Sequence, residues 1–278
     1  MGATSSSGVL IFSDIDNTLV YHDLEARARG EELPRFDRVA PAPSVYQAFE
    51  RAHARGHQIV LCTGRALCNI PQMIMDLQPD GLIAEAGSYV RCGSQVLRDA
   101  SIPFDLLLKM VEQLERLGID TEFEGNDGLI EFYPSGEEGA FPEFPLARTA
   151  AEFASIVCER PIAKFCIHNA SKVPVPDFLP LARESFHVCD LNGDVLEFAL
   201  PGMDKGSAIR CVRDHLSHGI AGTYAFGDSE NDLPMADEVE TFVAMGNALE
   251  GVRERADLVA PHVRDDGFLR CLERLGLI

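Results

Sequence analysis

Residues 9–19 read Val-Leu-Ile-Phe-Ser-Asp-Ile-Asp-Asn-Thr-Leu, and the change of character partway along this stretch decides the fold. Val9 to Phe12 is an unbroken apolar run, the pattern of a strand covered on both faces, and it gives way at once to a polar turn carrying Asp14 and Asp16. Two carboxylates one residue apart at a strand end can converge on one cation and one electrophile. One can then attack as a nucleophile while the other exchanges protons with the departing and incoming oxygens.

Outward from this stretch the chain alternates short apolar runs with helical ones. Val9–Phe12 is followed by a helix over 44–55, a strand over 58–62, a helix over 66–77 and a strand over 81–84. That alternation predicts a parallel sheet with helices on both faces. Tyr21 to Pro43, rich in charge and proline, interrupts it as a loop or flap above the first strand's carboxyl end. After Tyr89 the rhythm turns α+β: a hairpin over 89–97, a helix with an apolar stripe at Leu107, Met110, Leu114 and Leu117, then extended runs mixed with further helices. A second hairpin is predicted where Asn192-Gly193 separates two alternating runs, since both residues tolerate positive φ. Past Gly202 the βα rhythm resumes. The expected architecture is a doubly wound α/β core made of residues 1–85 and 200–278, with an inserted α+β cap over 86–199 above the sheet's ligand-binding edge.

Composition narrows the partners. The chain has 278 residues and a formal net charge of −20, with no Lys/Arg cluster of the kind that grips nucleic acid. No apolar run approaches membrane-span length. Cysteines at 62, 68, 92, 158, 166, 189, 211 and 271 form no Cys-x-x-Cys or Cys/His ligand spacing, which points to reduced thiols in a cytoplasmic protein. Met1 to Ser7 formally fits a myristoylation pattern but reads as a frayed tail. Nothing in the composition bears on oligomeric state.

Three more motifs end or follow predicted strands. Leu-Cys-Thr-Gly-Arg sets Thr63 at a strand tip, with Gly64 permitting a tight turn and Arg65 behind it. Gly-Met-Asp-Lys-Gly places Lys205 in the first turn of a helix, where backbone amides favour anions. Gly-Asp-Ser-Glu-Asn-Asp presents Asp228, Glu230, Asn231 and Asp232, oxygen donors suited to magnesium. Singly, each has a plainer reading: a strand-to-helix turn, a solvated lysine, a pair of helix caps. Together they are hard to obtain from turn and capping preferences.

The four motifs, with Val-Ala-Met-Gly-Asn-Ala and Asp-Asp-Gly-Phe beyond them, resemble the haloacid dehalogenase superfamily of phosphohydrolases, in its Cof-like branch with a large C2-type cap. The resemblance implies a phosphatase in which Asp14 is the nucleophile that becomes an aspartyl phosphate and Asp16 the acid/base. It implies Mg²⁺ held by the side chains of Asp14 and Asp228 and the backbone carbonyl of Asp16, with Asp232 completing the shell. Thr63 and Lys205 would grip the phosphoryl group, with Asn17, Gly64, Arg65 and Asn231 lining the substrate. Asn17 stands where the family usually has glycine. Arg65, Lys164, His168, Glu197 and the loop 201–203 are candidates for choosing the leaving group, although His168 reads as structural. The implied substrate is a small phosphorylated metabolite of the sugar-phosphate kind. A phosphotransferase or mutase using the same intermediate, and a non-catalytic sugar-phosphate sensor, are the alternatives.

Overall fold

The computed structural model describes residues 8–23, 26, 29–31, 33–35, 38–158, 160–191 and 194–278. The tail 1–7, the Asn192-Gly193 turn and parts of the 21–43 loop lie outside the described residues. In chain order the strands are β1 (Leu10–Ser13), β2 (Gln58–Cys62), β3 (Gly81–Ala84), β4 (Tyr89–Cys92), β5 (Gln95–Asp99), β6 (Thr121–Gly125), β7 (Gly128–Phe132), β8 (Leu146–Ala147), β9 (Lys164–His168), β10 (His187–Asp190), β11 (Val195–Ala199), β12 (Thr223–Gly227), β13 (Thr241–Ala244) and β14 (Leu258–Val259). The helices are α1 (Pro43–Ala54), α2 (Gln72–Met75), α3 (Phe104–Leu117), α4 (Ala150–Val157), α5 (Val175–Ala182), α6 (Lys205–Leu216), α7 (Glu250–Arg255) and α8 (Gly267–Arg274).

An eight-stranded sheet runs in the order β14-β13-β12-β1-β2-β3-β4-β5. Pairing is parallel from β14 to β3 and antiparallel beyond it. β1 lies at its centre with all four residues buried. Its alternation serves two cores: Ile11 packs with Val45, Phe49, Ile59 and Phe268 on the α1/α8 face, while Leu10 and Phe12 pack with Val60, Ile209 and Val212 on the α6 face. Burying such side chains contributes roughly 1.5–3 kcal/mol each. Because β12 is β1's other neighbour, Ser13 pairs with Phe226, so the turns that follow the two strands open side by side although more than 200 positions separate them in the chain.

A six-stranded sheet, β10-β11-β9-β6-β7-β8, carries α3, α4 and α5 over a separate core. Phe123, Phe132, Phe153, Phe165, Phe178 and Phe198 form its centre, with Phe165 and Phe198 stacked at 4.6 Å and 6°. Such ring pairs add about 0.5–1.5 kcal/mol beyond area burial.

Two expectations change. The hairpin placed at the start of the insertion is β4–β5 of the large sheet, because Gly81, Leu82, Ile83 and Ala84 pair antiparallel with Cys92, Arg91, Val90 and Tyr89. The single helix expected over 66–77 is broken into a 3₁₀ turn at Leu67–Asn69 and the short α2, because Pro71 can neither donate to the preceding turn nor fit beneath it.

Candidate active site

Asp14 follows β1 directly, and its backbone N–H donates to Phe226 of β12 at 2.9 Å. Lys205 opens α6, whose N-cap is Asp204 in a reciprocal capping box with Ser207. The lysine is 1% exposed, and its Nζ donates to Asp14 Oδ1 at 2.7 Å and to Asp232 Oδ1 at 2.6 Å. Asp232 is fully buried and also accepts from the backbone N–H groups of Asp228 (2.8 Å) and Ser229 (3.0 Å) through Oδ2. It therefore caps a turn and faces the lysine at once, so capping does not exclude a place in the site. Two glycines make the fit possible: a Cβ on Gly227 would lie 2.5 Å from Asp232 Cβ, and one on Gly206 2.3 Å from the Pro234 carbonyl oxygen.

Asp14, Asp228 and Asp232 each offer a carboxylate oxygen within 4.8 Å of the others'. Burial opposes ionisation of Asp14 and, partly offset by Lys205, pushes its carboxyl up to about 7. Burial, then the charges of Asp14 and Asp232, raise Asp228 well above the usual carboxylate range. Burial alone would lower Lys205, but the two aspartates outweigh it and hold the ammonium charged. Two buried carboxylates thus share one lysine, and the side chain of the third, Asp228, has no hydrogen bond or ion pair among the described residues. A compact set of hard oxygen donors with surplus negative charge fits a small divalent cation such as Mg²⁺.

Asp16 points elsewhere. Arg65 grips it through Nε–Oδ2 at 2.9 Å and Nη2–Oδ1 at 2.6 Å, and the buried His22 lies with Nε2 2.6 Å from Oδ1. Burial would raise Asp16, but the hydrogen bonds from Arg65 and His22 outweigh it and hold the carboxyl well below its ordinary range. Arg65, expected to line the substrate, is therefore engaged with the second aspartate. Asn17 has φ 56°, the left-handed geometry that explains why the family favours glycine here; its Oδ1 accepts from the His22 N–H at 3.0 Å.

The threonine loop sits alongside. Thr63 is fully buried and its Oγ1 accepts from the Arg65 N–H at 3.1 Å. The space beside Gly64 is bounded by Asn231 Nδ2 and by Glu197 Oε2 of β11, each 3.4 Å from where a Cβ would stand. Ala86, Glu197, Met203, Lys205 and Asn231 line a common cavity between the two sheets. Lys164, also buried, lies between Glu124 (2.8 Å) and Glu197 (3.0 Å). His168 instead pairs with Glu122 on the outer part of β9, as a structural histidine would. His22, Glu85 and Glu124 escaped the sequence reading, whereas Glu230 was read there as an oxygen donor of the fourth motif. Glu230 accepts from the Asp190 N–H at 3.3 Å and so ties the fourth motif to β10. Glu85 follows the apolar strand Gly81–Ala84, the same strand-end signal that marks Asp14 and Thr63.

All eight cysteines are free, with Cys68 and Cys158 exposed and Cys62, Cys92, Cys166, Cys189 and Cys271 buried. Among the described residues no helix is long and apolar enough to cross a membrane.

Comparison with known proteins agrees with this geometry. YkrA of Bacillus subtilis (strain 168) is 28% identical over 281 residues, spanning 97% of this chain and 98% of its own. The solved structure of BT1666 from Bacteroides thetaiotaomicron, described among phosphatases of the haloalkanoate (HAD) superfamily, superposes with a TM-score of 0.80 at 22% identity, covering 100% of this chain and 99% of that one. That of BT4131, described as a HAD subclass IIB sugar phosphatase, gives 0.78 at 23% identity, with 97% and 100% covered. A sequence model for haloacid dehalogenase-like hydrolases matches residues 11–272. Strand order, motif placement and that match lead to one conclusion: the chain belongs to the haloacid dehalogenase-like hydrolases and is a phosphatase of that superfamily.

Proposed function

We propose that the enzyme is a Mg²⁺-dependent phosphatase that hydrolyses a small phosphorylated metabolite of the sugar-phosphate kind through an aspartyl phosphate on Asp14. The observation that carries this reading is the buried Lys205 bridging Asp14 and Asp232 beside an unpaired Asp228. Such an arrangement is costly to bury and has a use when a phosphoryl group and a cation enter it.

The Asp14 carboxylate attacks phosphorus, and the ester P–O bond breaks as the leaving oxygen takes a proton from Asp16. A water molecule then attacks the acyl phosphate, giving its proton back to Asp16. Inorganic phosphate leaves and the Asp14 carboxylate is restored. Lys205, the Thr63 hydroxyl and the Asn231 amide supply donors for the phosphoryl oxygens, and the ammonium also relieves repulsion between Asp14 and a phosphate dianion. Mg²⁺, held by Asp14, Asp228, Asp232 and the Asp16 backbone carbonyl, would neutralise charge on the transferring group. As placed beside Arg65 and His22, Asp16 is a ready base, and delivering a proton requires its release from that clamp. The six-stranded sheet serves as the cap that closes over this edge and selects the leaving group, and in this reading it begins after β5.

Purified protein should hydrolyse p-nitrophenyl phosphate with Mg²⁺ and lose the activity in EDTA. Turnover that survives chelation would overturn the proposal.

A further inference from the structure

Glu85 is 1% exposed, and its Oε1 is buried with no hydrogen-bond partner among the described residues. The backbone holds it there against its own preferences: Glu85, Ala86 and Gly87 all have positive φ, at 51°, 52° and 108°. Its N–H donates to the Arg65 carbonyl at 2.9 Å, and that of Ala86 to Thr63 at 3.1 Å, so this turn is stitched to the phosphate-side loop. Gly87 presses so close to Asp204 that a Cβ would lie 2.3 Å from its carbonyl oxygen. A strained turn fastened to two catalytic motifs and presenting a buried, unsatisfied carboxyl is an arrangement that a ligand completes.

The six-stranded sheet supplies charged groups close enough to act on this turn. Glu124 and Lys164 are among the charged neighbours acting on Glu85, and Lys164 is ion-paired to both Glu124 and Glu197. Glu197 Oε2 also reaches the space over Gly64. The cluster therefore holds three carboxyl groups and a single ammonium already committed to two of them. It has hydrogen-bond acceptors to spare and no free cation.

We infer that Glu85, together with Glu124, Lys164 and Glu197, reads the hydroxyl groups of a neutral polyhydroxylated leaving alcohol, and that the same pocket rejects phosphate esters whose leaving group carries a carboxylate. This rests on the phosphatase reading above and names the part of the substrate that the cap and the Glu85 turn select. Burial, and after it the charge of Glu124, push Glu85 up to about 8. Near neutral pH it is therefore mostly the neutral acid, which can both donate to and accept from a hydroxyl. A carboxylate would meet Glu124 and Glu197 with no counter-charge available, and a buried like-charge encounter of this kind opposes binding strongly.

The test uses the full chain with Mg²⁺ and compares kcat/KM on neutral tetrose, pentose and hexose phosphates, on phosphoglycolate and on p-nitrophenyl phosphate, whose leaving group has no aliphatic hydroxyl. The best sugar phosphate should exceed phosphoglycolate by at least about tenfold. In Glu85→Leu the ratio of sugar phosphate to p-nitrophenyl phosphate should fall about tenfold, the size expected for losing a buried hydrogen bond, and by less in Glu85→Gln, which keeps an acceptor. Melting temperature reports folding of both variants and should not fall, since the buried Oε1 has no partner to lose. A ratio that falls less than threefold in folded Glu85→Leu, or phosphoglycolate cleaved as well as any sugar phosphate, overturns the inference while leaving the phosphatase reading intact. A wild-type enzyme that fails on p-nitrophenyl phosphate as well as the esters overturns both.

Discussion

Asp14→Asn should nearly abolish turnover and yet stabilise the metal-free protein. Burial raises the Asp14 carboxyl from 3.8 to about 7 even though Lys205 lies 2.7 Å away. At ~1.4 kcal/mol per pKa unit, holding that group ionised costs about 4 kcal/mol above pH 7. The residue is only 4% exposed, so solvent screening removes little of this. Asparagine keeps the shape, can still accept from Lys205 and carries no charge. The sign follows from the direction of the shift: a carboxyl raised on folding contributes stability that is complete below its ordinary 3.8 and lost as pH climbs through about 7. The variant should therefore match the wild type near pH 4 and exceed it by pH 8. At about 2–4 °C per kcal/mol, and allowing for Lys205 keeping one ionised partner, the gain is on the order of 5–10 °C in EDTA. Adding Mg²⁺ should reverse the order, because the variant lacks one anionic ligand. Thermal melts from pH 4 to 8, with and without the metal, measure all of this. A variant that melts below the wild type at pH 8 in EDTA, or a gap that does not change with pH, would refute the electrostatic account.

Lys205→Met strands two buried carboxylates, so stability should drop by about 3–5 kcal/mol and turnover by about 10²–10³; denaturant melts and steady-state kinetics decide, and a mild effect on both counts against the bridging role. Arg65→Met removes the larger of the two influences holding Asp16 below its ordinary range, leaving only His22 to oppose the rise that burial causes. Because Asp16 must carry the proton it gives to the leaving oxygen, the alkaline limb of the kcat/KM profile should then move to higher pH, and an unmoved limb would show that Asp16 does not titrate there. That variant also loses the stability Asp16 contributes above its ordinary pKa, a loss that fades as pH falls through the folded value. In Gly227→Ala the new methyl meets Asp232 at 2.5 Å, so the Mg²⁺ concentration for half-maximal activity should rise about 10–100-fold; an unchanged requirement would place Asp232 outside the metal's surroundings.

Much of the fold is legible along the chain. The β1, β2, β3 and β12 runs are mostly apolar because both their faces are covered, and the turns after β1, β2 and β12 and the start of α6 carry the polar residues of the candidate site. The strand-end rule that found Asp14, Thr63 and Asp228 applies equally to β3, whose following residue is Glu85, yet the sequence reading passed over it because no neighbouring motif drew notice. The broken helix over 66–77 was legible too, in Pro71. The β4–β5 hairpin was not, since an alternating pair reads alike at the edge of a parallel sheet or at the start of an insertion. Only hydrogen bonding from Gly81 to Ala84 decides between them.

The sequence by itself determined the chemical types at the site and the order in which the chain delivers them, because local apolar runs, turns and caps are encoded by neighbouring residues. Tertiary structure alone decided how those groups engage. Parallel pairing of β1 with β12 brings Asp14 beside Asp228 and Asp232, burial then makes their charges expensive, and Lys205 answers only part of that charge. Likewise Arg65 bonds Asp16, and Lys164 is held between Glu124 and Glu197, because long-range packing sets which charges meet and how much water remains to screen them. No spacing along the chain carries that information.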